Sequence, residues 1–252
     1  MDIASTGFDY DELEGEYAGV RRTDPHIADR LREFLGDAQS LLNVGAGTGS
    51  YEPQDLRVVA VEPSKQMRAL RSSQVVPALA HFAEDLPFVA NAFEASMAIL
   101  TVHHWPDLQR GLAEMRRVTS GPVVVMTFDP NAPTDFWLKD YVPEMHAVEM
   151  RRYGPIDRIV QGLGGADVHS VPVTRTCQDA FQAALYARPE WFLRAEVRAA
   201  QSAWSHLPAG VEARAMADLA NDLRSGAWDE RYGHLRTAPT VMCQLRMVVS
   251  QG

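Results

Sequence analysis

The feature that most constrains the fold is a glycine-rich turn behind a short apolar run. Residues 40–44 read Ser-Leu-Leu-Asn-Val, and glycines follow at alternating positions 45, 47 and 49. Glycine has no Cβ and tolerates positive φ, so such a turn lets the backbone approach a ligand closely. A second apolar run ends in Glu62. Its separation in sequence from the glycine turn is suited to an acid that accepts hydrogen bonds from a ribose diol. The pattern predicts a site for an adenosine-containing cofactor.

The spacing of the glycines separates two classes of cofactor. The dinucleotide fingerprint is Gly-x-Gly-x-x-Gly, followed by a helix N-terminus aimed at the pyrophosphate. Here the third glycine comes one residue early, and Pro53 leaves little room for a helix in the segment behind it. The sequence therefore departs from a dinucleotide site, and a nicotinamide dehydrogenase is kept only as a third alternative.

The order of the motifs resembles the class I S-adenosylmethionine-dependent methyltransferases, in their ubiquinone/menaquinone-type small-molecule branch. The matching segments are motif I at 41–52, the ribose-binding strand at 58–62, the adenine-flanking loop at 83–88, the fourth strand at 95–101, the following helix at 111–118 and the fifth strand at 123–128. Two positions depart from the family. Asn43 replaces the usual motif I acid, and Phe82 replaces an aspartate of the adenine loop. Phe82 suits either stacking on adenine or packing in the core.

The resemblance implies an α/β fold with a doubly wound, mostly parallel seven-stranded sheet of the Rossmann-like methyltransferase type. Alternating strand and helix patterns also indicate a doubly wound parallel sheet. We expect a single domain over residues 1–252, an N-terminal helical cover at 1–36 and a helical lid or insertion at 130–165. Further predicted helices lie at 8–20, 26–35, 107–118, 176–187, 189–203 and 211–223, and further strands at 75–79, 168–173 and 240–249.

The resemblance also implies S-adenosyl-L-methionine as the cofactor. The expected cofactor-binding residues are Tyr17, Arg21, Gly45, Ala46, Gly47, Gly49, Glu62, Pro63, Met67, Ala83, Glu84 and Thr101. In this family a Tyr-x-x-x-Arg pair commonly reaches the methionine carboxylate, which a guanidinium binds bidentately. Tyr17 and Arg21 have that spacing, although a core tyrosine and a surface arginine fit equally well. Met67 suits either packing on adenine or packing in the core.

Candidate catalytic residues follow the fourth and fifth strands. Related methyltransferases use a histidine and an aspartate at these positions, which are His103, His104 and Asp129 here. Histidine titrates near neutrality and can act as a general base, while a strand-capping or packing role for either histidine stays open. Candidate substrate-binding residues are Trp105, Trp137, Tyr141 and Tyr153. The last three lie within 130–165 and fit a satellite core as well.

Composition narrows the range of partners. The net charge of −9 and the lack of a basic block argue against nucleic acid and anionic membranes as partners. No apolar stretch approaches the roughly 18 residues of a membrane span, and the N-terminus lacks a signal-peptide pattern. The two cysteines have no metal-type spacing and suit a reducing compartment. We expect a cytoplasmic protein without a metal that acts on a small molecule.

These observations predict an enzyme that transfers a methyl group to a small organic acceptor, in secondary metabolism. The aromatic residues of the insertion and the C-terminal segments favour an aromatic or polycyclic acceptor. Carbon, nitrogen and oxygen all stay open as the acceptor atom. Two alternatives remain: a protein of this fold that binds the cofactor but catalyses a non-methyl reaction, and a non-catalytic cofactor-binding module.

Overall fold

The structure is organised around one β-sheet. The computed structural model describes residues 21–134 and 136–252. The strands are β1 Ser40–Val44, β2 Arg57–Val61, β3 Ala78–Leu79, β4 Ala95–Ile99, β5 Val123–Phe128, β6 Asp167–Thr174 and β7 Thr240–Ser250. They form a seven-stranded sheet in the order β3-β2-β1-β4-β5-β7-β6. β1 to β5 pair in parallel, and β7 is antiparallel to both β5 and β6. The predicted mostly parallel, seven-stranded α/β sheet is confirmed.

The strand order reverses beside β1, and this reversal positions the site. Leu42 of β1 pairs with Val59 of β2 on one side and with Ser96 of β4 on the other. The chain leaves β1 towards β2 and β3 and then returns to the opposite side at β4. In open sheets of this kind ligands bind outside the carboxyl ends of the strands at such a reversal. Gly45 and Leu100, which directly follow β1 and β4, lie at that edge.

The central strands are buried on both faces, as expected for a parallel sheet covered by helices. Successive side chains of a strand point to opposite faces. Leu41 therefore belongs to one hydrophobic cluster with Leu31. Its neighbour Leu42 belongs to a second cluster with Leu112.

The helices are short and several have side-chain caps. Their bounds are α1 Pro25–Leu35, α2 Lys65–Ala69, α3 Leu108–Val118, α4 Leu138–Tyr141, α5 Glu144–Arg152, α6 Asp157–Gly162, α7 Ala195–Ala199, α8 Val211–Ser225 and α9 Ala227–Tyr232. Asp24 caps α1, since its carboxylate accepts a hydrogen bond from the Ile27 amide at 3.2 Å. Asp107 caps α3 in the same way through the Arg110 amide at 3.1 Å.

Three predicted elements differ from the structure. The third strand is only Ala78–Leu79, because Pro77 cannot donate to a strand ladder. The long helices predicted at 176–187 and 189–203 are replaced by α7 and three 3₁₀ turns, which are Gln182–Leu185, Pro189–Leu193 and Ser202–His206. Pro189 disfavours a helical conformation at the residue before it. The Gln178 amide is also engaged elsewhere, since it donates to the Asp24 carboxylate at 3.1 Å.

Most apolar side chains of the predicted lid lie in a separate hydrophobic core. Trp137 is fully buried there, and its indole Nε1 donates to the Tyr186 carbonyl at 2.8 Å. Tyr141 is in the same cluster, together with Leu219 of α8 and Trp228 of α9. The structure thus corrects the expectation that Trp137 and Tyr141 bind substrate, because burial among C-terminal helices places both in a core. A lid role for 130–165 stays a prediction.

The predicted helix at 8–20, with Tyr17, lies outside the described residues. Within residues 21–134 and 136–252, no helix combines the length and the apolar character needed to cross a bilayer.

Replacing Trp137 by alanine is expected to lower the free energy of unfolding by about 3–5 kcal/mol, because it removes a large, fully buried side chain from a packed core. Trp137→Phe serves as the control, since it keeps a ring against Phe192 and Trp228 and loses mainly the indole hydrogen bond. Urea unfolding curves measure both effects. An unchanged unfolding midpoint in Trp137→Ala would return this residue to the list of pocket candidates.

Candidate functional site

The loop after β1, residues 45–49, has positive φ at each of its three glycines, a conformation that favours glycine. Gly45 has φ +68°, and a Cβ there would lie 2.2 Å from the Thr101 Oγ1 atom. Gly47 has φ +50°, and a Cβ there would meet no protein atom within 4 Å. We call this segment the glycine loop. At Gly45 the glycine loop packs against Thr101, which follows β4. At Gly47 its backbone faces open space.

Glu62, directly behind β2, is joined to the glycine loop. Its carboxylate accepts hydrogen bonds from the Gly47 and Ser64 amides, both at 2.8 Å. The side chain is buried, and that burial raises the pKa of its carboxyl group, while the two backbone hydrogen bonds oppose the shift. Glu62 therefore presents a held acceptor group at the edge of the sheet predicted for a ribose.

A cavity of about 510 Å³ opens at this edge. One part, the glycine-loop end, is lined by Gly45, Ala46, Gly47, Glu62, Pro63, Met67, Phe82, Ala83 and Glu84. The other part, the histidine end, is lined by Thr101, His103, His104, Trp105, Phe128, Phe136, Glu149, Arg152, Tyr153, Phe181 and Gln182. The strand order separates the two ends of the cavity. β2 and β3 lie on one side of β1, whereas β4 and β5 lie on its other side.

A buried ion pair supports the glycine loop from behind. The Arg71 guanidinium contacts the Glu52 carboxylate at 2.7 Å, and their side chains are 3% and 2% exposed. Arg71 also donates to the Gly47 carbonyl at 3.0 Å. Asn43 donates to the same Glu52 carboxylate at 3.0 Å. The carboxylate beside the loop thus comes from Glu52, while Asn43 occupies the position where the resembling family has its acid.

Arg21 reaches the cavity but already has an acidic partner. Its Nε atom lies 2.5 Å from the Asp179 carboxylate, which is 2% exposed. The Tyr51 hydroxyl donates to the other oxygen of Asp179 at 3.0 Å. Any ligand carboxylate at Arg21 would share the guanidinium with Asp179. Its predicted partner Tyr17 lies outside the described residues.

The two histidines lie together at the histidine end on the 3₁₀ turn Val102–His104. Their ring centroids are 3.9 Å apart, and the His103 ring lies 4.4 Å from the Tyr153 ring. Burial, followed by the charges of neighbouring groups, holds the pKa of His103 well below its usual value. Burial and the nearby Arg152 charge lower the pKa of His104 to about 3. Both imidazoles are therefore neutral at neutral pH and are weak bases.

Other predicted site residues lie away from the cavity. Asp129 accepts a hydrogen bond from the Asn131 amide at 3.0 Å and closes a turn after β5, so it does not pair with the histidines. Gly49 faces Val75, and a Cβ at Gly49 would lie 2.8 Å from that side chain. Close packing against Val75, and not the approach of a ligand, therefore requires glycine at position 49.

Several cavity residues were not predicted from the sequence. They are Phe128, Phe136, Glu149, Arg152, Asp179, Phe181, Gln182 and Gln201. Most belong to segments whose apolar spacing indicated lid or helix packing. One signal was available: Glu149 and Arg152 stand one helical turn apart beside Tyr153, which had been singled out.

Comparison with known proteins identifies the domain. Residues 42–122 match the family described as "Methyltransferase domain". The resemblance to the class I S-adenosylmethionine-dependent methyltransferases is confirmed. The matched stretch runs from β1 to the approach of β5, which is the part that builds the glycine-loop end.

A solved structure resembles nearly the whole chain. It is a candidate methyltransferase from an antibiotic biosynthesis pathway of Anabaena variabilis, with 28% identity and a TM-score of 0.85. The similarity covers 92% of this chain and 99% of that one. The similarity therefore includes the C-terminal segments that build the histidine end.

Two curated relatives match less than half of this chain. One is a tRNA (carboxymethyluridine(34)-5-O)-methyltransferase of Xenopus tropicalis, 29% identical over 43% of this chain and 18% of its own length. The other is 2-methyl-6-phytyl-1,4-hydroquinone methyltransferase 2 of Oryza sativa subsp. japonica, 29% identical over 42% of this chain and 33% of its own length. The chain thus spans a third or less of the length of these relatives.

The residues at the glycine-loop end fit S-adenosylmethionine, the cofactor of this family. The open surface at Gly47 is space that a Cβ would begin to fill. Glu62 offers carboxylate oxygens beside it, and Met67 and Phe82 supply apolar contacts for a flat ring. Asn43 Oδ1 is buried at the cavity wall and has no hydrogen-bond partner in residues 21–134 and 136–252. Within those ranges, no group of three or more His, Cys, Asp and Glu side chains is arranged to hold a metal ion.

Glu62→Ala is expected to weaken S-adenosylmethionine binding by roughly 1.5–3 kcal/mol, the scale of hydrogen bonds to a charged group. Titration calorimetry measures the affinity. Glu94→Ala is the matched control, because Glu94 is an exposed carboxylate at the opposite end of β4. Equal affinity in the two variants would remove Glu62 from the cofactor site.

Breaking the ion pair behind the loop is expected to destabilise the fold. Glu52→Gln or Arg71→Met each leaves one buried charge without its partner, and the free energy of unfolding should fall by roughly 3–5 kcal/mol. The double variant should lose less than the sum of the two single losses, because it removes both charges together. Urea unfolding of all four proteins completes the cycle, and additive losses would contradict the pairing.

Proposed function

We propose that the protein transfers a methyl group from S-adenosylmethionine to a small organic acceptor with an aromatic framework, in secondary metabolism. The observation that carries this proposal is the single cavity that joins the glycine loop and Glu62 to an aromatic histidine end. A volume of about 510 Å³ lies in the range of small-molecule sites, roughly 300–1,000 Å³. The similarity to the Anabaena variabilis protein supports the pathway class.

Each end of the cavity has a distinct task in this proposal. Glu62 binds the ribose hydroxyls, and Met67, Phe82, Ala83 and Glu84 flank the adenine. Arg21, shared with Asp179, binds the methionine carboxylate. When bound, the cofactor supplies an electrophilic methyl group. The protein's contribution is to align the acceptor with that group and to exclude water.

The histidines have a positioning task. A general base works best when its pKa is near the working pH, and His104 has a pKa of about 3. His103 and His104 therefore orient the acceptor as neutral hydrogen-bonding groups, beside Thr101 and Trp105.

The nucleic-acid alternative has less support. The tRNA methyltransferase relative matches only 43% of this chain, and the net charge of −9 is unsuited to a polyanion. The two free thiols, Cys177 and Cys243, are both buried. They suit a reducing compartment, so a cytoplasmic location forms part of the proposal.

Binding and transfer measurements test the proposal. Calorimetry with S-adenosylmethionine and with a nicotinamide dinucleotide should show binding of the former alone. Incubation with methyl-labelled cofactor and metabolite extracts should then label a small molecule and release S-adenosylhomocysteine. Product formed without S-adenosylhomocysteine would favour a non-methyl reaction. Cofactor affinity without any product would favour a non-catalytic binding module.

His104→Asn is expected to retain methyl transfer within about tenfold, because a neutral amide replaces a neutral imidazole. A general base at this position would instead contribute roughly 10²–10⁴-fold. The comparison uses labelled methyl transfer by wild type and variant at saturating cofactor. A loss in the larger range would restore His104 as the base.

The same substitution should change the response to acid. The folded-state pKa of His104 is lowered, to about 3, so its contribution to stability is present above the unfolded value near 6.5 and lost as the pH falls towards 3. Wild-type stability should therefore decline faster than that of His104→Asn below pH 6.5, by up to about 1.4 kcal/mol per pH unit. Urea unfolding at several pH values measures the two slopes, and parallel slopes would contradict the shift.

A further inference from the structure

The carboxyl group of Glu149 lies at the cavity and has no role in the function proposed above. Glu149 lies in the last turn of α5 and lines the histidine end. Its backbone carbonyl accepts a hydrogen bond from the Tyr153 amide at 2.8 Å. Its carboxyl group, by contrast, makes no hydrogen bond to any residue in the parts of the chain that the structure describes. A carboxyl group that lines a cavity without a protein partner is left for a ligand or water to satisfy.

The electrostatics of Glu149 differ from those of the histidines. Burial raises the pKa of the Glu149 carboxyl group to about 7, although the positive charge of Arg152 opposes the shift. The same burial lowers the pKa of His104 to about 3. At neutral pH Glu149 is therefore divided between its two protonation states, which is the condition for efficient proton transfer.

Arg152 is held at the same end of the cavity. It stands one turn after Glu149 on α5, and its guanidinium donates to the Ser202 hydroxyl at 2.6 Å. Its Nε atom is buried and has no hydrogen-bond partner among residues 21–134 and 136–252. A developing negative charge on an acceptor oxygen would lie in a region of positive potential.

The walls of this end are suited to a flat ring. Aromatic side chains surround it, and the Phe128 ring contacts two of the others. The Phe128 ring lies 5.7 Å from Tyr153 and 5.6 Å from Phe181, measured between centroids. Such surfaces favour offset or edge contacts with an aromatic ligand.

We propose that Glu149 is the general base of the transfer and that the acceptor presents an aromatic hydroxyl group to its carboxylate. This inference rests on the proposed function and specifies its acceptor atom. Glu149 was absent from the residues that the sequence indicated, because its segment was interpreted as a lid.

The step balances without a further reactant. The hydroxyl O–H bond breaks, its electron pair stays on the oxygen and the proton passes to Glu149. The oxygen pair forms the new C–O bond, while the C–S bond of the sulfonium breaks and its electrons remain on sulfur as a neutral thioether. The products are a methyl ether and a protonated Glu149, which returns its proton to solvent.

The pH dependence of this step depends on all the charged and titratable groups around the histidine end. On the segment of Glu149 itself these are Arg152 and Tyr153. Across the cavity they are His103, His104 and the ion pair of Arg21 with Asp179. The turn packed against α5 adds His206, whose pKa is lowered, so it is neutral at neutral pH. Ionisation near pH 7 is thus assigned to Glu149, because the nearby imidazoles are neutral there and burial raises the pKa of Tyr153.

The test compares wild type with Glu149→Gln, which keeps shape and removes the base, and Glu149→Asp, which keeps the base. Glu144→Gln is the matched control, because Glu144 lies at the far end of α5 and is paired with Arg214. The acceptor probes are 2-naphthol and 1,8-dihydroxynaphthalene, each compared with its methyl ether. Calorimetry first measures S-adenosylmethionine affinity, which should agree within threefold among all four proteins.

Three measurements follow. Labelled methyl transfer to the hydroxyl probes should fall about 10²–10⁴-fold in Glu149→Gln, remain partial in Glu149→Asp and be unchanged in Glu144→Gln. The acidic limb of the wild-type rate profile, centred near pH 7, should disappear in Glu149→Gln. Independently of activity, the infrared difference spectrum of wild type minus Glu149→Gln should show a protonated-carboxyl band at pH 5 that is lost through pH 7 and shifts when 2-naphthol binds.

Each contrary result overturns the proposal. Transfer within threefold of wild type in Glu149→Gln would exclude Glu149 as the base, and so would a carboxyl already ionised at pH 5. If wild type binds S-adenosylmethionine but methylates neither hydroxyl probe, the aromatic hydroxyl class is wrong and the methyltransferase proposal stands. If wild type does not bind the cofactor, the proposed function fails together with this inference.

Discussion

The close contact between Gly45 and Thr101 is the constraint on which the site depends. A Cβ at Gly45 would lie 2.2 Å from the threonine hydroxyl oxygen, so the end of β1 can approach the end of β4 only through glycine. This approach occurs where the strand order reverses, which is where an open parallel sheet forms its crevice. Glu62 then holds the next turn of the loop through the Gly47 amide at 2.8 Å. Arg71 holds the same residue through its carbonyl at 3.0 Å.

The cavity combines two parts of the chain with different origins. The glycine-loop end is built from strand ends within residues 42–122, the stretch that matches the methyltransferase domain. The histidine end adds side chains from α5 and from the segment at 181–182, which follow that stretch. In the proposed function the acceptor contacts these later segments, so the matched domain alone does not determine the acceptor.

Burial acts in opposite directions on the groups of the histidine end. Removing charge from water favours the neutral form of every group. It therefore lowers the pKa of His104 to about 3 and raises the pKa of Glu149 to about 7. In this environment His104 is a neutral contact at neutral pH, although histidine is the residue type usually associated with proton transfer. Glu149 is the better proton acceptor of the two.

The sequence alone determined the sheet and the glycine-loop end, because these rest on short-range patterns. Alternating glycines, an acid behind the second strand and the Asp24 cap of α1 are each set by local backbone requirements. Only the tertiary structure decided the rest. Glu52 and Arg71 are 19 residues apart, and no periodicity predicts their pairing. Trp137 and Tyr153 have similar apolar neighbours in sequence, yet one is buried beside Trp228 and the other lies beside His103. Helical spacing shows that a side chain is buried, but the packing of distant segments determines whether it faces a core or a cavity.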